Sequence, residues 1–159
     1  MIDRENVAII QMGIEGAELL SEIYAEAFKK TPEQQWGKEA FCDFYSISGT
    51  IGYVIKEKEQ PIGFLLLRKI IDEAEIITFC ILPKWCQNGY GKYLLEWVID
   101  ELQQQSIKRF FLEVRENNDA AVRLYNKCSF EIIGRRKGYY KGHQNGNIDA
   151  LVMQLRLID

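Results

Sequence analysis

Histidine is almost absent from this chain: the only one among 159 residues is His143. The four cysteines, Cys42, Cys80, Cys86 and Cys128, contain no CxxC pair, so a structural zinc site lacks ligands and no metal is expected. Several of these thiols lie inside apolar runs, where they behave as small hydrophobes, and a disulfide framework is not expected either. Long apolar runs are missing too; none approaches the roughly 18 residues that span a bilayer. The opening Met1-Ile2-Asp3-Arg4-Glu5-Asn6 has no basic region ahead of an apolar stretch, so no secretory leader is expected and the chain reads as cytoplasmic. Charge of one sign is scarce: a net charge of −3 gives no sequence-wide attraction to nucleic acid or anionic lipid, and neither partner is expected. Repeats, low-complexity segments and dividing linkers are absent as well, which predicts a single domain over residues 1–159.

What is present is the makeup of a folded chain, 47% apolar and 12% aromatic, long enough to bury a sizeable core. Residues 7–12 predict a first strand. Residues 15–30 carry Ala17, Leu20, Ile23, Tyr24, Ala27 and Phe28 as a helical stripe, which Pro32 stops. A weaker helix is predicted over 36–45, with a turn near Ser48-Gly49. Residues 51–56 and 62–70 are strand-like, and the polar Glu57-Lys58-Glu59-Gln60-Pro61 between them signals a hairpin. Another strand over 75–82 ends at Pro83. The clearest helix is 90–105, with Leu94, Leu95, Val98, Ile99 and Leu102 opposite Lys92, Glu96, Asp100 and Gln103. A strand over 110–114 precedes a helix over 118–127, where Asn118 is a preferred cap and Asp119 suits the first turn. Strands at 130–136 and 149–157 follow, around a polar loop at 141–147 in which His143 reads as a solvated residue. An antiparallel meander followed by a βαβ-like crossover predicts an α+β fold, a central mixed sheet flanked by helices.

The densest local signal is Pro83-Lys84-Trp85-Cys86-Gln87-Asn88-Gly89-Tyr90-Gly91-Lys92, between a predicted strand and a predicted helix. Gly89 and Gly91 let the backbone approach a ligand closely. The first-turn N–H groups that follow have no intrahelical partner and lie at the positive end of the helix dipole. Such a nest suits a diphosphate, although an ordinary strand-to-helix loop uses glycine in the same way. A P-loop needs Lys-Ser/Thr after its second glycine, and a dinucleotide fingerprint needs a third glycine where Leu94 stands. Glu113 shares one strand face with Phe111 and Arg115, while Phe110, Leu112 and Val114 share the other. It is either a solvated carboxylate paired with a neighbour or one kept for chemistry. Tyr125 is a core or rim tyrosine or a proton donor, and Tyr139-Tyr140 is a strand-end aromatic pair or the wall of a groove.

Together these pieces resemble a known family. Residues 76–130 look like the acetyl-CoA-binding core of the GNAT superfamily. More narrowly, Leu112-Glu113-Val114-Arg115, Asn118, Ala121, Leu124-Tyr125 and Phe130 are similar to the ribosomal-protein-alanine N-acetyltransferases, as are Gly134-x-Arg136-x-x-Tyr139-Tyr140 and Asp149-Ala150-Leu151-Val152-Met153. The resemblance implies a GNAT-like acyltransferase fold and acetyl-CoA as cosubstrate. It implies that Phe79, Cys80 and Ile81 lie along the pantetheine and thioester, and that Gln87, Asn88, Gly89, Tyr90, Gly91 and Lys92 hold the diphosphate through main-chain N–H groups. Asn118 would touch the cosubstrate further along, Glu113 would be general base and Tyr125 general acid. Trp36, Tyr139 and Tyr140 would border the groove for the acceptor. The sequence departs from the pattern at Cys86, where Gln or Arg is usual, at Ser129, where Gly is usual, and at Gly37, where Ser is common.

Acetyl transfer from a thioester to an amine needs a neutral amine, a stabilised oxyanion and a protonated leaving thiolate. A protein α-amine, with a pKa of about 8, needs less help than a lysine at about 10.4. A carboxylate can take that proton and a phenol can supply one to the thiolate. Direct transfer uses no covalent intermediate, so Cys80 and Cys86 are not the expected nucleophiles. The expected acceptor is the N-terminal amine of a protein, by resemblance the alanine of a ribosomal protein. A small amine such as a polyamine, an amino acid or an aminoglycoside is the competing acceptor, and a non-catalytic acetyl-CoA-binding module is the competing class. The oligomeric state is left open.

Overall fold

The apolar run near the start of the chain forms edge strand β1 (Val7–Met12), antiparallel to β2 (Thr50–Glu57). Helices α1 (Ala17–Ala27) and α2 (Lys38–Ser46) lie between them in sequence. The meander continues through β3 (Gln60–Ile70) and β4 (Glu73–Ile81), each antiparallel to the strand before. Then come α3 (Tyr90–Gln104), β5 (Arg109–Arg115), α4 (Asp119–Lys127), β6 (Glu131–Tyr140) and β7 (Ile148–Arg156). The seven strands make one mixed sheet in the order β1-β2-β3-β4-β5-β7-β6, in which β4 and β5 form the parallel pair. This computed structural model describes residues 2–31, 35–140 and 146–157; Pro32 and His143 lie outside the described residues.

Burial along the strands shows which parts of the sheet are covered on both faces. In β3 the six residues from Ile62 to Leu67 are buried in succession, as expected where helices cover both sides. Phe64 and Leu66 pack with Val54, Cys80 and the inner faces of α1 and α2, around Leu20, Ile23 and Phe41. Leu65 and Leu67 face the other way, toward Leu94, Leu95, Val98 and Leu102 of α3. In β5 the pattern is instead alternating, with Phe110, Leu112 and Val114 buried. The parity expected for Glu113 therefore holds: it shares the opposite, half-open face with Phe111 and Arg115.

One turn is tighter than the sequence predicts. The chain reverses between β2 and β3 at Lys58-Glu59 alone, with φ of 47° and 68°, so Gln60 and Pro61 already belong to β3. The right-handed twist of the paired strands favours a two-residue turn of this hand. Pro61 is accommodated because the register shifts beside it, between Ile55 and Lys56.

The ends of α3 and α4 use serine where glycine is the usual choice. After α4, Ser129 N–H donates to Asn126 O and Phe130 N–H donates to Tyr125 O, each at 3.0 Å, with Ser129 at φ 71°. The rings of Tyr125 and Phe130, 5.6 Å apart, close the motif over this left-handed residue. Ser106 does the same after α3, at φ 61°, with Ile107 N–H donating to Leu102 O at 3.0 Å. A left-handed L-residue costs about 1 kcal/mol or more. Ser129→Gly is therefore expected to stabilise the protein by about 0.5–1 kcal/mol after the added flexibility of the unfolded chain is deducted. A rise of about 2–4 °C in Tm by calorimetry checks it, and an unchanged or lower Tm contradicts it.

Candidate functional site

Parallel pairing between β4 and β5 joins Glu73 to Arg109, Ala74 to Phe110 and Glu75 to Phe111, and stops there. Just beyond, β4 bulges: Leu67 pairs with Ile76 but Leu66 with Thr78, so Ile77 is the extra residue. A bulge bends and twists its strand, and here it accompanies the parting of the two strands. A cleft of about 700 Å³ lies along the end of β4 beyond the parting, lined by Phe79, Cys80 and Ile81 of β4 and by Ala121, Leu124 and Tyr125 of α4, among others.

One end of this cleft is the start of α3. Gly89 is the cap residue, at φ 90°, and no side chain caps the helix. Gln87 is also left-handed, at φ 63°, so the loop alternates hands in the way that turns successive N–H groups into a concavity. Gln87, Gly89, Gly91 and Lys92 all line the cleft. A Cβ added to Gly91 would meet Ile81, Leu124 and Phe79 at 3.6–3.8 Å, so glycine keeps the floor low without being required by the fold. Asn88 and Tyr90 are placed differently. Asn88 Nδ2 turns back to donate to Cys86 O at 3.2 Å, and Tyr90 packs edge-on against Trp85, with ring centroids 5.9 Å apart. Cys86 takes the place of the usual Gln or Arg at the cleft, its Sγ 3.4 Å from Ile81 O.

Helix α4 closes the other side. Asn118 caps it as expected, its side-chain oxygen accepting from Ala121 N–H at 3.2 Å, and it also lines the cleft. Arg123 and Lys127 join Lys92 along the lining, a set of cations suited to an anionic ligand. Sequence reasoning missed Arg123 and Lys127. Their spacing of four on a helix whose Leu124 and Tyr125 were already singled out was the available signal. Tyr125 is 7% exposed, its ring 6.5 Å from that of Phe79. Burial, with smaller contributions from Tyr140 and Cys128, pushes its phenol well above the ordinary value, so the hydroxyl stays protonated. Burial raises the Cys80 thiol strongly as well, which makes it a poor nucleophile, while Cys86 is exposed and only partial burial pushes its thiol up.

Glu113 lies one strand away from this lining, on the face of the sheet that carries α1 and α2. Its carboxylate forms an ion pair with a residue of β6: Arg136 Nε lies 3.0 Å from Glu113 Oε1, with the two side chains 56% and 21% exposed. Arg136 also lies 5.1 Å from the Tyr139 ring, and Arg115 lies 4.3 Å from that of Tyr140. Tyr139 and Tyr140 meet edge to face at 5.1 Å. The structure thus joins Glu113, Tyr139 and Tyr140 through two arginines. Arg136 stood in the tail motif without a role, because nothing local in the sequence shows which side chain it reaches. Trp36 is placed apart from this group, stacked on Tyr24 at 5.1 Å and edge-on to Phe44 at 5.1 Å, within the aromatic packing of α1 and α2.

Asp149 holds this end of the sheet in shape. Its Oδ1 accepts from Gly138 N–H at 2.8 Å, its Oδ2 lies 3.3 Å from Arg135, and Arg135 also pairs with Glu116. The Gly138 N–H bond, assisted by Arg135, keeps the Asp149 carboxyl below the usual range.

Residues 17–130 match the acetyltransferase (GNAT) family. A relative from Haemophilus influenzae, a [ribosomal protein bS18]-alanine N-acetyltransferase, is 38% identical over 97 residues, which is 61% of this chain and 66% of that protein. The crystal structure of the ribosomal-protein-S18-alanine N-acetyltransferase from Escherichia coli superimposes with a TM-score of 0.82 at 24% identity, covering 96% of this chain and 95% of the other. A putative acetyltransferase from Salmonella typhimurium, solved with its cofactor acetyl-CoA, does so at 0.78 and 20% identity, covering 97% and 95%. With the family match running from α1 through α4 and across both walls of the cleft, this chain belongs to the GNAT acetyltransferase family.

Proposed function

We propose that this chain transfers the acetyl group of acetyl-CoA to the N-terminal α-amine of a protein, and specifically to an N-terminal alanine of the ribosomal-protein kind that its relatives' names describe. The observation that carries the reading is the parted β4–β5 seam, which opens between an uncapped helix start and a buried, protonated tyrosine. The loop N–H groups from Gln87 to Lys92, with Lys92, Arg123 and Lys127, suit the diphosphate of acetyl-CoA. The β4 edge at Phe79, Cys80 and Ile81 suits the pantetheine arm, since past Glu75 its backbone groups no longer pair with β5. Backbone N–H groups near Ile81 would polarise the thioester carbonyl, a contribution of about 3 kcal/mol per donor in acyl transfer.

Glu113 takes the proton of the attacking amine, directly or through a water. An α-amine is about one-tenth neutral at pH 7, a lysine far less, so a single carboxylate suffices for the former. Tyr125 then protonates the departing thiolate, a task that requires its hydroxyl to remain un-ionised through the working pH range. Direct attack is favoured over an acyl-Cys80 because burial holds that thiol protonated. Tyr139 and Tyr140 line the acceptor's approach, with Trp36 in a supporting position behind α1. The same reading takes residues 1–159 as a single domain working in the cytoplasm. It is supported by one continuous sheet and by the fact that, among the described residues, no helix is long and apolar enough to cross a membrane.

The test is acetyl-CoA turnover on an Ala-initiated peptide, the same peptide N-blocked, and a panel of small amines, followed by mass spectrometry. Reaction of only the free N-terminus is expected; reaction of small amines alone would overturn the proposal. Glu113→Gln is expected to lower kcat/KM by about 10²–10⁴ and Tyr125→Phe by about 10², each with acetyl-CoA still raising Tm. Gly91→Leu places a branched side chain in the cleft and is expected to abolish that thermal shift while the unliganded protein stays folded. Because burial raises the Tyr125 phenol, activity limited by it persists up to and beyond about pH 10, the ordinary tyrosine value. A wild-type rate profile that fell through pH 9 only when Tyr125 was present would contradict its role as acid.

A further inference from the structure

The ion pair on Glu113 has an unusual origin. Glu113 pairs across to Val152 of β7, and Val152 to Gly134 of β6, while Arg115, Ala150 and Arg136 form the next row. Arg136 therefore starts two strands away from Glu113, about 10 Å at ordinary strand spacing, and one row along. Its side chain crosses β7 diagonally to place Nε 3.0 Å from Oε1. The crossing passes β7 between Ala150, the partner of Arg136, and Val152, the partner of Glu113. Little in the general stability of the sheet calls for this reach, since a half-exposed ion pair contributes modestly.

The same arginine lies against Tyr139, on the strand whose end bears the tyrosines assigned to the acceptor's approach. Resting on the proposal that Glu113 is the base for an α-amine, we propose that Arg136 is a specificity-determining residue. Its guanidinium holds the base carboxylate aimed, and it occupies the place a permanently charged ammonium would otherwise take. An amine with about a tenth of its population neutral at pH 7, such as a protein N-terminus, can enter beside the pair in that form. A lysine side chain or a polyamine, cationic at the same pH, has to displace a covalently tethered cation. Arg115, on the same face and two residues along β5, adds to the positive field that a cationic acceptor meets. The position thus selects between amines by charge rather than by shape.

The experiment compares wild type, Arg136→Gln and Arg136→Lys on three acceptors: an Ala-initiated peptide without lysine, an N-blocked peptide with one internal lysine, and spermidine. In Arg136→Gln the ratio of kcat/KM for lysine or spermidine to that for the α-amine is expected to rise about tenfold. On the Ala peptide the loss is expected mainly in kcat, by about three- to tenfold, because the base is no longer held in place. Arg136→Lys keeps the cation but not the fork, so it should retain the wild-type ratio while recovering only part of kcat. The acetyl-CoA-induced rise in Tm reports that each variant is folded and loaded. An unchanged ratio in Arg136→Gln, with wild-type turnover of the Ala peptide intact, overturns this inference and leaves the proposed function standing. Absence of turnover of the Ala peptide by wild type, or full activity of Glu113→Gln, overturns the function itself.

Discussion

Everything at this site depends on a pairing that ends early. Among the described residues, the one parallel contact in the sheet runs for three residue pairs, and beyond it β4 lines a cleft. Parallel ladders are ordinarily buried and continuous, because their hydrogen-bonding groups have no other outlet. Here the interruption leaves two strand edges facing a space rather than each other. The bulge at Ile77 lets β4 turn away while keeping its other edge paired with β3 up to Gly63 and Ile81. β5 remains anchored on its other side along its whole length by β7. The two halves of the sheet can separate because each is independently secured, the first by α1, α2 and the meander, the second by the β6–β7 hairpin.

In the proposed reaction that division also distributes the chemistry. The side proposed for the acyl donor is built from main chain: a helix start, a left-handed loop and an exposed strand edge. Such groups carry fixed partial charges and need little reorganisation. The side proposed for the acceptor is built from side chains, Glu113, Arg136, Arg115 and the tyrosine pair, held by charge and ring contacts on a half-open face. Tyr125 stands between them. It is buried deeply enough to remain a phenol, yet it lines the cleft.

Much of this was legible in the sequence where the signal is local. The α3 face, the Asn118 cap and the strand parity around Glu113 each depend on residues within a few positions of one another, and the structure has all three. Placement of β7 between β5 and β6 was not legible, because strand order is decided by packing between segments far apart in the chain. The Ile77 bulge was hidden for a related reason: an unbroken apolar run does not show which residue is left out of the ladder. The packing of Trp36 among Tyr24, Phe41 and Phe44 was not legible either, since a large ring in a connecting segment gains most where other rings already exclude water and those rings belong to two separate helices, α1 and α2. Arg136 was visible as a motif letter, but its partner lies two strands over, beyond the reach of any periodicity.

Strand β6 ends the seven-stranded order, so among the described residues its outer edge has no neighbour. A ten-residue edge with Ile132 and Ile133 more than half exposed would normally invite another strand to pair with it. Two register shifts break its regularity, and Arg135, Arg136 and Lys137 place three consecutive cations in its middle. Any strand aligning there, including a second copy of β6, would meet an uneven backbone and ion pairs it would have to accommodate. The residues that organise this face thereby also blunt the outer edge of β6.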